Sequence, residues 1–264
     1  MAELDTRVGV HVPGVDPLGE ADALGADCLQ IFVSDPQSFK KPPPHPHAAA
    51  LRDSPLPIYV HAPYLINICS PVATRRQFGR RMLQWTCDGA ADVGAAAVIA
   101  HPGHAEDDIN EGFTRWVKTL ERLKTTVPIF IENTAGGKNA VARKFDDLAR
   151  LWDAVQNAET DVPIGFCFDT CHAFAAGEEL TDAVERVLKI VGTIDLLHAN
   201  DAQGQPGSGR DRHAHPGQGN IGTDVLRHMI RTAGGPVIIE PHEAWKAAPE
   251  TVRADMAFVR EALQ

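Results

Sequence analysis

Residues 163–169, PIGFCFD, run through apolar and small side chains and stop on the carboxylate of Asp169. The same design returns along the chain: VGVHV with His11, PIYVH with His61, AAAVIAH with His101, PIFIE with Glu132, IDLLH with His198 and PVIIE with Glu240. A short apolar run of this kind suits a strand buried on both faces. A helix-like segment follows most of them, so the chain reads as repeated βα units. An open, doubly wound sheet would gather its site from a few strand ends at a topological switch point. Ligand-type side chains at nearly every strand end favour closure instead, because the C-terminal ends of all barrel strands open into one mouth. The reading is an α/β fold, a (β/α)8 TIM barrel with its chemistry at the C-terminal face of the strands.

Strands are predicted at residues 7–12, 27–33, 57–61, 96–101, 128–132, 163–169, 194–198 and 236–240, and the clearest helices at 74–92, 111–124, 144–156, 178–190 and 223–232. Gly94, Gly137, Gly177, Gly192 and Gly234 punctuate them. KKPPPHPHAAA from Lys40 cannot be helical in its first half. Residues 201–220, DAQGQPGSGRDRHAHPGQGN, form a long glycine-rich loop without periodicity, and such loops in compact domains are usually functional. No linker or repeat divides the chain, and 264 residues match the roughly 250 that such a barrel needs. Residues 1–264 are therefore expected to form one domain.

Hydrophobic residues make up 44% of the chain, enough for a large core, yet no stretch approaches the roughly 18 continuous apolar residues of a membrane span. The start MAELDTRVGVHV lacks the basic and apolar regions of a signal peptide, so a cytoplasmic location without a membrane partner is expected. The formal charge of −10 argues against a broadly basic nucleic-acid-binding surface and leaves room for a local one. There is no Walker A run, and the G-x-G-x-x-G of GQGNIG at residues 217–222 lies at the end of the long loop rather than directly after a strand, so no nucleotide cofactor is expected. Cys28, Cys69, Cys87, Cys167 and Cys171 are odd in number and widely spaced, which suits buried reduced thiols. Glu106, Asp107 and Asp108 read as a solvated helix start.

His61, His101, Glu132, Asp169, His198 and Glu240 form a strand-end set of metal-ligand types. His172 follows Asp169 closely enough to face the same mouth, and Asp211 and His213 lie two apart on the long loop. Buried by accident, so many carboxylates and imidazoles would be costly, and metal ions remove that cost. These nine donors exceed what one four- or five-coordinate zinc can use, which implies about two or three ions. His11 ends its strand in the same layer, and orienting a ligand is as good a reading as being one. His45, His47 and His104 sit outside the pattern, while His215 and His242 lie near the candidates and could support them. Several divalent ions close together suit in-line displacement at a phosphodiester, whose attacking and leaving oxygens both carry charge. Glu132 is the central candidate to bridge ions and orient the attacking water. A metal-dependent sugar isomerase or epimerase of the same fold is the enzymatic alternative, although it normally uses fewer histidines and often a lysine. A non-catalytic DNA-damage-binding protein is the alternative outside enzymes.

The mouth also carries residues suited to an extended anionic partner. HAPYLINICSP supplies Tyr64, Leu65 and Asn67; SDPQSFK supplies Gln37, Phe39 and Lys40; Arg210 and Arg212 flank Asp211. The arginines can contact phosphates while Asp211 holds metal, and Tyr64 can wedge into a duplex.

HAPYLINI, HPGH, IENTAGG, FDTCHAFAAG, LLHAND and GRDRHAHPGQGNIG occur in the order found in the endonuclease IV family of apurinic/apyrimidinic endonucleases, which the whole chain resembles. The resemblance implies a barrel with three zinc ions; by donor chemistry, Mn2+ or Fe2+ could occupy an oxygen-richer position. It implies a monomer that cuts duplex DNA 5′ to abasic sites in base excision repair, leaves a 3′-hydroxyl and a 5′-deoxyribose phosphate, and clears blocked 3′ ends. Carried over by motif, His61, His101 and Glu132 look like the ligands of one zinc. Glu132, Asp169, His198 and Glu240 look like those of a second, and His172, Asp211 and His213 those of a third. The chain departs from the pattern at HVPGVDP, where the family has H-x-S and a glycine-rich turn, and at Ala214, where a second histidine is common. It departs again at Glu240-Pro241 followed by HEAW, where E-T is usual, and at Gln37, where some relatives place a duplex-probing arginine. These departures bear on substrate contacts rather than on the reaction.

Overall fold

A computed structural model describes residues 6–13, 15–137, 139–241 and 248–264, so His242 and the rest of HEAW lie outside the described residues. The strands are β1 (Val8–His11), β2 (Leu29–Ile31), β3 (Ile58–His61), β4 (Ala97–Ala100), β5 (Ile129–Glu132), β6 (Ile164–Asp169), β7 (Leu196–His198), β8 (Asp201–Ala202), β9 (His213–Ala214) and β10 (Val237–Ile239). β1 to β7 and β10 pair in parallel around a closed barrel in which β10 returns to β1. β8 and β9 form a short antiparallel ribbon within the long loop after β7. The TIM barrel expected from the apolar runs is the fold. No helix among the described residues is long and apolar enough to cross a membrane.

Around the barrel run α1 (Pro17–Leu24), α2 (Ala48–Arg52), α3 (Ala73–Asp92), α4 (Ile109–Leu120), α5 (Phe145–Gln156), α6 (Thr170–Ala176), α7 (Ala183–Val191), α8 (Thr223–Ala233) and α9 (Pro249–Leu263). The helix predicted at 178–190 begins later, at Ala183, because Gly177 closes α6 in the left-handed conformation at φ 79°. α6 itself starts at the end of β6, where the Asp169 side chain accepts the backbone N–H of His172 at 2.6 Å. α1 is absent from the predicted helices, although its caps are conventional: Asp16 accepts from Gly19, Pro17 opens the helix and Gly25 ends it at φ 67°. Asp108 caps α4, while Asp107 and Glu106 pair with Arg115 and Arg75, as suits a solvated helix start.

Two apolar layers hold the molecule together. The larger lies between strands and helices, with Trp116, Leu83, Leu148 and Met256 fully or nearly buried in it. The smaller fills the barrel interior with Cys28, Tyr59, Ile99, Cys167, Leu196 and Ile238, against which Phe130 packs. Gly9 faces this layer, and a Cβ there would meet Cys28 Sγ at 2.6 Å. All five cysteines are buried free thiols, and burial raises Cys87 to about 12. Side chains alternate along a strand. Two residues beyond each inward apolar group, the chain therefore points inward again: Tyr59 to His61, Ile99 to His101, Phe130 to Glu132, Cys167 to Asp169, Leu196 to His198 and Ile238 to Glu240. The apolar plug thus forms the floor of the site.

Candidate metal centre

The inward layer above that plug brings the strand-end donors together in three groups. They are His61, His101 and Glu132; Glu132, Asp169, His198 and Glu240; and His172, Asp211 and His213. Within each group the ligand atoms lie within 4.8 Å of one another. Glu132 is fully buried and shared by two groups. Its Oε2 lies 3.3 Å from His61 Nε2 and 2.9 Å from His101 Nε2, and its Oε1 lies 3.0 Å from His198 Nδ1. In the third group, Asp211 reaches His172 Nε2 at 3.2 Å and His213 Nε2 at 2.9 Å.

Backbone carbonyls set which nitrogen each ring presents. His61 Nδ1–H donates to Ala62 O at 2.8 Å, His172 Nδ1–H to Asn133 O at 2.8 Å and His213 Nδ1–H to Glu240 O at 3.3 Å. Their Nε2 atoms then face the carboxylates, protonated here and free to offer a lone pair to an ion once the proton leaves. Two buried atoms in this layer, Glu132 Oε2 and His213 Nε2, make no well-directed hydrogen bond, although each has a facing histidine nitrogen or carboxylate oxygen at 2.9 Å. A buried polar atom left without a well-directed bond is costly, and a cation would satisfy both.

The charge balance points the same way. Burial pulls His198 down, but Glu240 and Glu132 outweigh it and raise the ring to about 9. Burial likewise opposes His213, whose neighbour Asp211 raises it to about 9. Burial would raise Glu240, yet His198 and His213 hold it down at about 2. Glu132 stays well below the ordinary carboxylate range because His101 and His198 overcome its burial. Protons on imidazoles thus balance carboxylates in this buried layer, where divalent ions could take their place. The set of imidazole nitrogens and carboxylate oxygens fits zinc and related ions. Cys167 and Cys171 come within reach of the same donors, but burial raises both thiols and keeps them protonated.

The donors open into a cavity of about 440 Å³ whose wall includes His11, Gln37, Tyr64 and Arg212. A larger cavity of about 660 Å³ lies elsewhere, lined by Asp88, Glu121, Glu159 and Asp161, and contains none of the candidate donors. Tyr64 is 58% exposed at the rim, with its ring 5.6 Å from Phe32. Arg212 donates to Asp211 O at 3.1 Å, and Arg210 lies beside it on the same loop. Among the described residues, no ion pair joins either guanidinium to a carboxylate. Asn67 does not line the cavity. Its Oδ1 accepts the backbone N–H groups of Cys69 and His104, both at 3.1 Å, and so ties two loops together. His215 bonds Asp255 at 2.8 Å, His45 and His47 pack against each other, and His104 faces Gly136 O, all away from the donors.

Four residues of this layer escape the sequence reading. Phe32 makes edge contacts with His11, His61 and Tyr64. Asn200 donates to Asp169 at 2.7 Å and Glu240 at 3.0 Å, and Asn133 brackets the Asp169 backbone. Gln30 bonds His11, His198 and Glu240. For the asparagines a signal is present: in IEN and HAN a carboxamide stands beside or just beyond a strand-end donor.

The family described as xylose isomerase-like TIM barrel matches residues 18–262. A probable endonuclease 4 of Mycobacterium tuberculosis is 54% identical over 256 residues, covering 96% of this chain and 98% of the relative. Endonuclease IV from Thermus thermophilus superposes with a TM-score of 0.79 at 28% identity, over 97% of this chain and 99% of that one. A D-tagatose 3-epimerase-like protein superposes at 0.71 with 19% identity, over 98% of this chain and 100% of that one, a likeness of fold alone.

Proposed function

Because this chain belongs to the endonuclease IV family, we propose that it hydrolyses duplex DNA on the 5′ side of abasic sites, leaving a 3′-hydroxyl and a 5′-deoxyribose phosphate. In this reading it also clears blocked 3′ ends, works as a cytoplasmic monomer and serves base excision repair. The observation that carries the reading is Glu132, a fully buried carboxylate shared between two donor groups, with one oxygen 2.9 Å and 3.3 Å from two histidine nitrogens and the other 3.0 Å from a third.

The three donor groups would hold three divalent ions, zinc foremost, with manganese or iron suited to the oxygen-richer position. Bound there, such ions supply Lewis acidity toward a phosphoryl oxygen and ionise water near neutral pH. The protein's own residues supply placement. Glu132 orients whatever lies between the first two groups, since its two oxygens face different histidines. Tyr64 and Phe32 form an aromatic wall beside the donors, suited to a sugar without its base. Arg212 lines the cavity and Arg210 lies two residues before it, and both guanidinium groups suit contacts with backbone phosphates.

Zinc-loaded protein incubated with an end-labelled abasic duplex, an intact duplex and a panel of aldoses tests this reading. Nicking confined to the abasic duplex is expected. Isomerisation without nicking would replace the reading with a sugar isomerase, and metal-dependent binding without turnover would leave a damage-binding protein.

A further inference from the structure

β2 is a barrel strand that contributes no candidate metal ligand, yet its inward position in the donor layer is filled. That position belongs to Gln30, two residues beyond Cys28 of the apolar plug, and its side chain is fully buried. Every hydrogen bond of the carboxamide goes to a side chain of the site. Nε2 lies 2.7 Å from Glu240 Oε1 and 3.0 Å from His11 Nδ1, and Oε1 lies 2.9 Å from His198 Nε2.

The chemistry of the partners fixes the orientation of the amide. An ionised Glu240 only accepts, so the NH2 group must face it. The amide oxygen then faces His198 Nε2, which must carry a proton. His198 Nδ1 is left pointing at Glu132 Oε1 at 3.0 Å, Glu240 Oε2 at 3.4 Å and Asp169 Oδ2 at 3.9 Å. Glu240 divides its oxygens in the same way: Oε1 takes the Gln30 amide, and Oε2 faces His198 and Asn200. An apolar residue would fill this strand position more cheaply, since a buried carboxamide is tolerated only with its bonds made.

We propose that Gln30 is the positioning residue of the group Glu132, Asp169, His198 and Glu240, holding His198 as its Nε2–H tautomer and Glu240 by one oxygen so that both aim their remaining lone pairs at one ion. The inference rests on the metal reading above and adds a determinant from β2, a strand without a candidate ligand. It also gives His11 a role as the outer anchor of Gln30, since His11 Nδ1 accepts the second amide hydrogen.

The test uses the full chain, wild type and the variants Gln30→Leu and Gln30→Met, stripped of metal and titrated with zinc against a competing chelator. Thermal unfolding confirms that each variant is folded. In the variants, affinity for one ion is expected to fall about 10–100-fold while the others hold, the usual consequence of losing an outlying partner of a metal ligand. Side-chain 1H–15N correlation spectra of the zinc-loaded wild type are expected to show His198 protonated at Nε2, a signature that the variants blur. For an abasic duplex, kcat is expected to fall with KM little changed. A wild type with its His198 proton on Nδ1 overturns the proposal without recourse to any variant. So do folded variants that bind every ion as the wild type does. A wild type that takes up no zinc removes the metal reading itself, which separates the two failures.

Discussion

Glu132 turns one oxygen toward His61 and His101 and the other toward His198, so a single substitution there reaches two donor groups at once. Glu132→Gln keeps the size of the side chain and removes its charge. We expect a folded protein whose abasic-site cleavage falls by more than the roughly 10–100-fold typical for an outlying partner of a metal ligand. Gel-based turnover, with elemental analysis in parallel, checks this; normal turnover at normal metal content would put the centre elsewhere. His198 and His213, both raised to about 9, make a second expectation. Rings whose folded pKa lies above the unfolded value near 6.5 stabilise the metal-free protein fully below that value, and the contribution is lost as pH rises through about 9. Metal-free protein should therefore melt at a lower temperature at pH 9.5 than at pH 6.5, and zinc loading near neutrality should release protons. Melting curves and a pH-indicator titration measure both, and a flat melting profile would contradict the assignment.

Among the elements, the long loop after β7 depends most on a single side chain. The fully buried Asp201 accepts the backbone N–H groups of Gly217, Gly219, Ile221 and Ala202, all at 2.8–3.0 Å. The far end of the loop is thereby pinned beside β8, and β9 carries His213 back to the donors. Asp201→Ala strands these four donors, and at about 1–3 kcal/mol for each lost partner the expected destabilisation is at least about 4 kcal/mol. Zinc at His172, Asp211 and His213 should be lost before zinc at the other two groups, as denaturant melts and chelator titration would show. The same loop carries Arg210 and Arg212. Each arginine-to-alanine change is expected to weaken binding to any duplex and to lower the salt slope by about 1, leaving the preference for abasic sites intact. Unchanged slopes in both would place the DNA footprint elsewhere on the mouth. The strand ends are legible in the sequence because a period of two links an inward apolar residue to the inward donor that follows, as in Ile99 and His101. The loop is not, because its path is set by Asp201 bonding groups up to 20 positions away. Gln30 is hidden for the same reason: its partners His198 and Glu240 lie 168 and 210 positions along the chain.

Over the whole molecule, an acidic protein is expected to bind an acidic polymer, which requires the favourable charge to be local. Three divalent ions in the donor layer would offset more than half of the formal charge of −10 at the mouth where, on the proposed function, phosphates would approach. Removing them should weaken the fold as well, because ions that bind only the folded chain stabilise it by about 2.7 kcal/mol at a hundredfold excess over Kd. Calorimetry before and after chelation tests this, and an unchanged melting temperature would separate the centre from the fold.

β1 pairs with β10, Val8 beside Val237, so the first strand waits for almost the last before the ring can shut. Glu240 follows immediately after that last strand and completes the four-donor group. During synthesis, therefore, β1 to β7 all emerge before this group can exist. A product that lacks β10 would leave β1 and β7 without their shared partner and the donor group without Glu240, so on the proposed function truncated copies would be unable to cut.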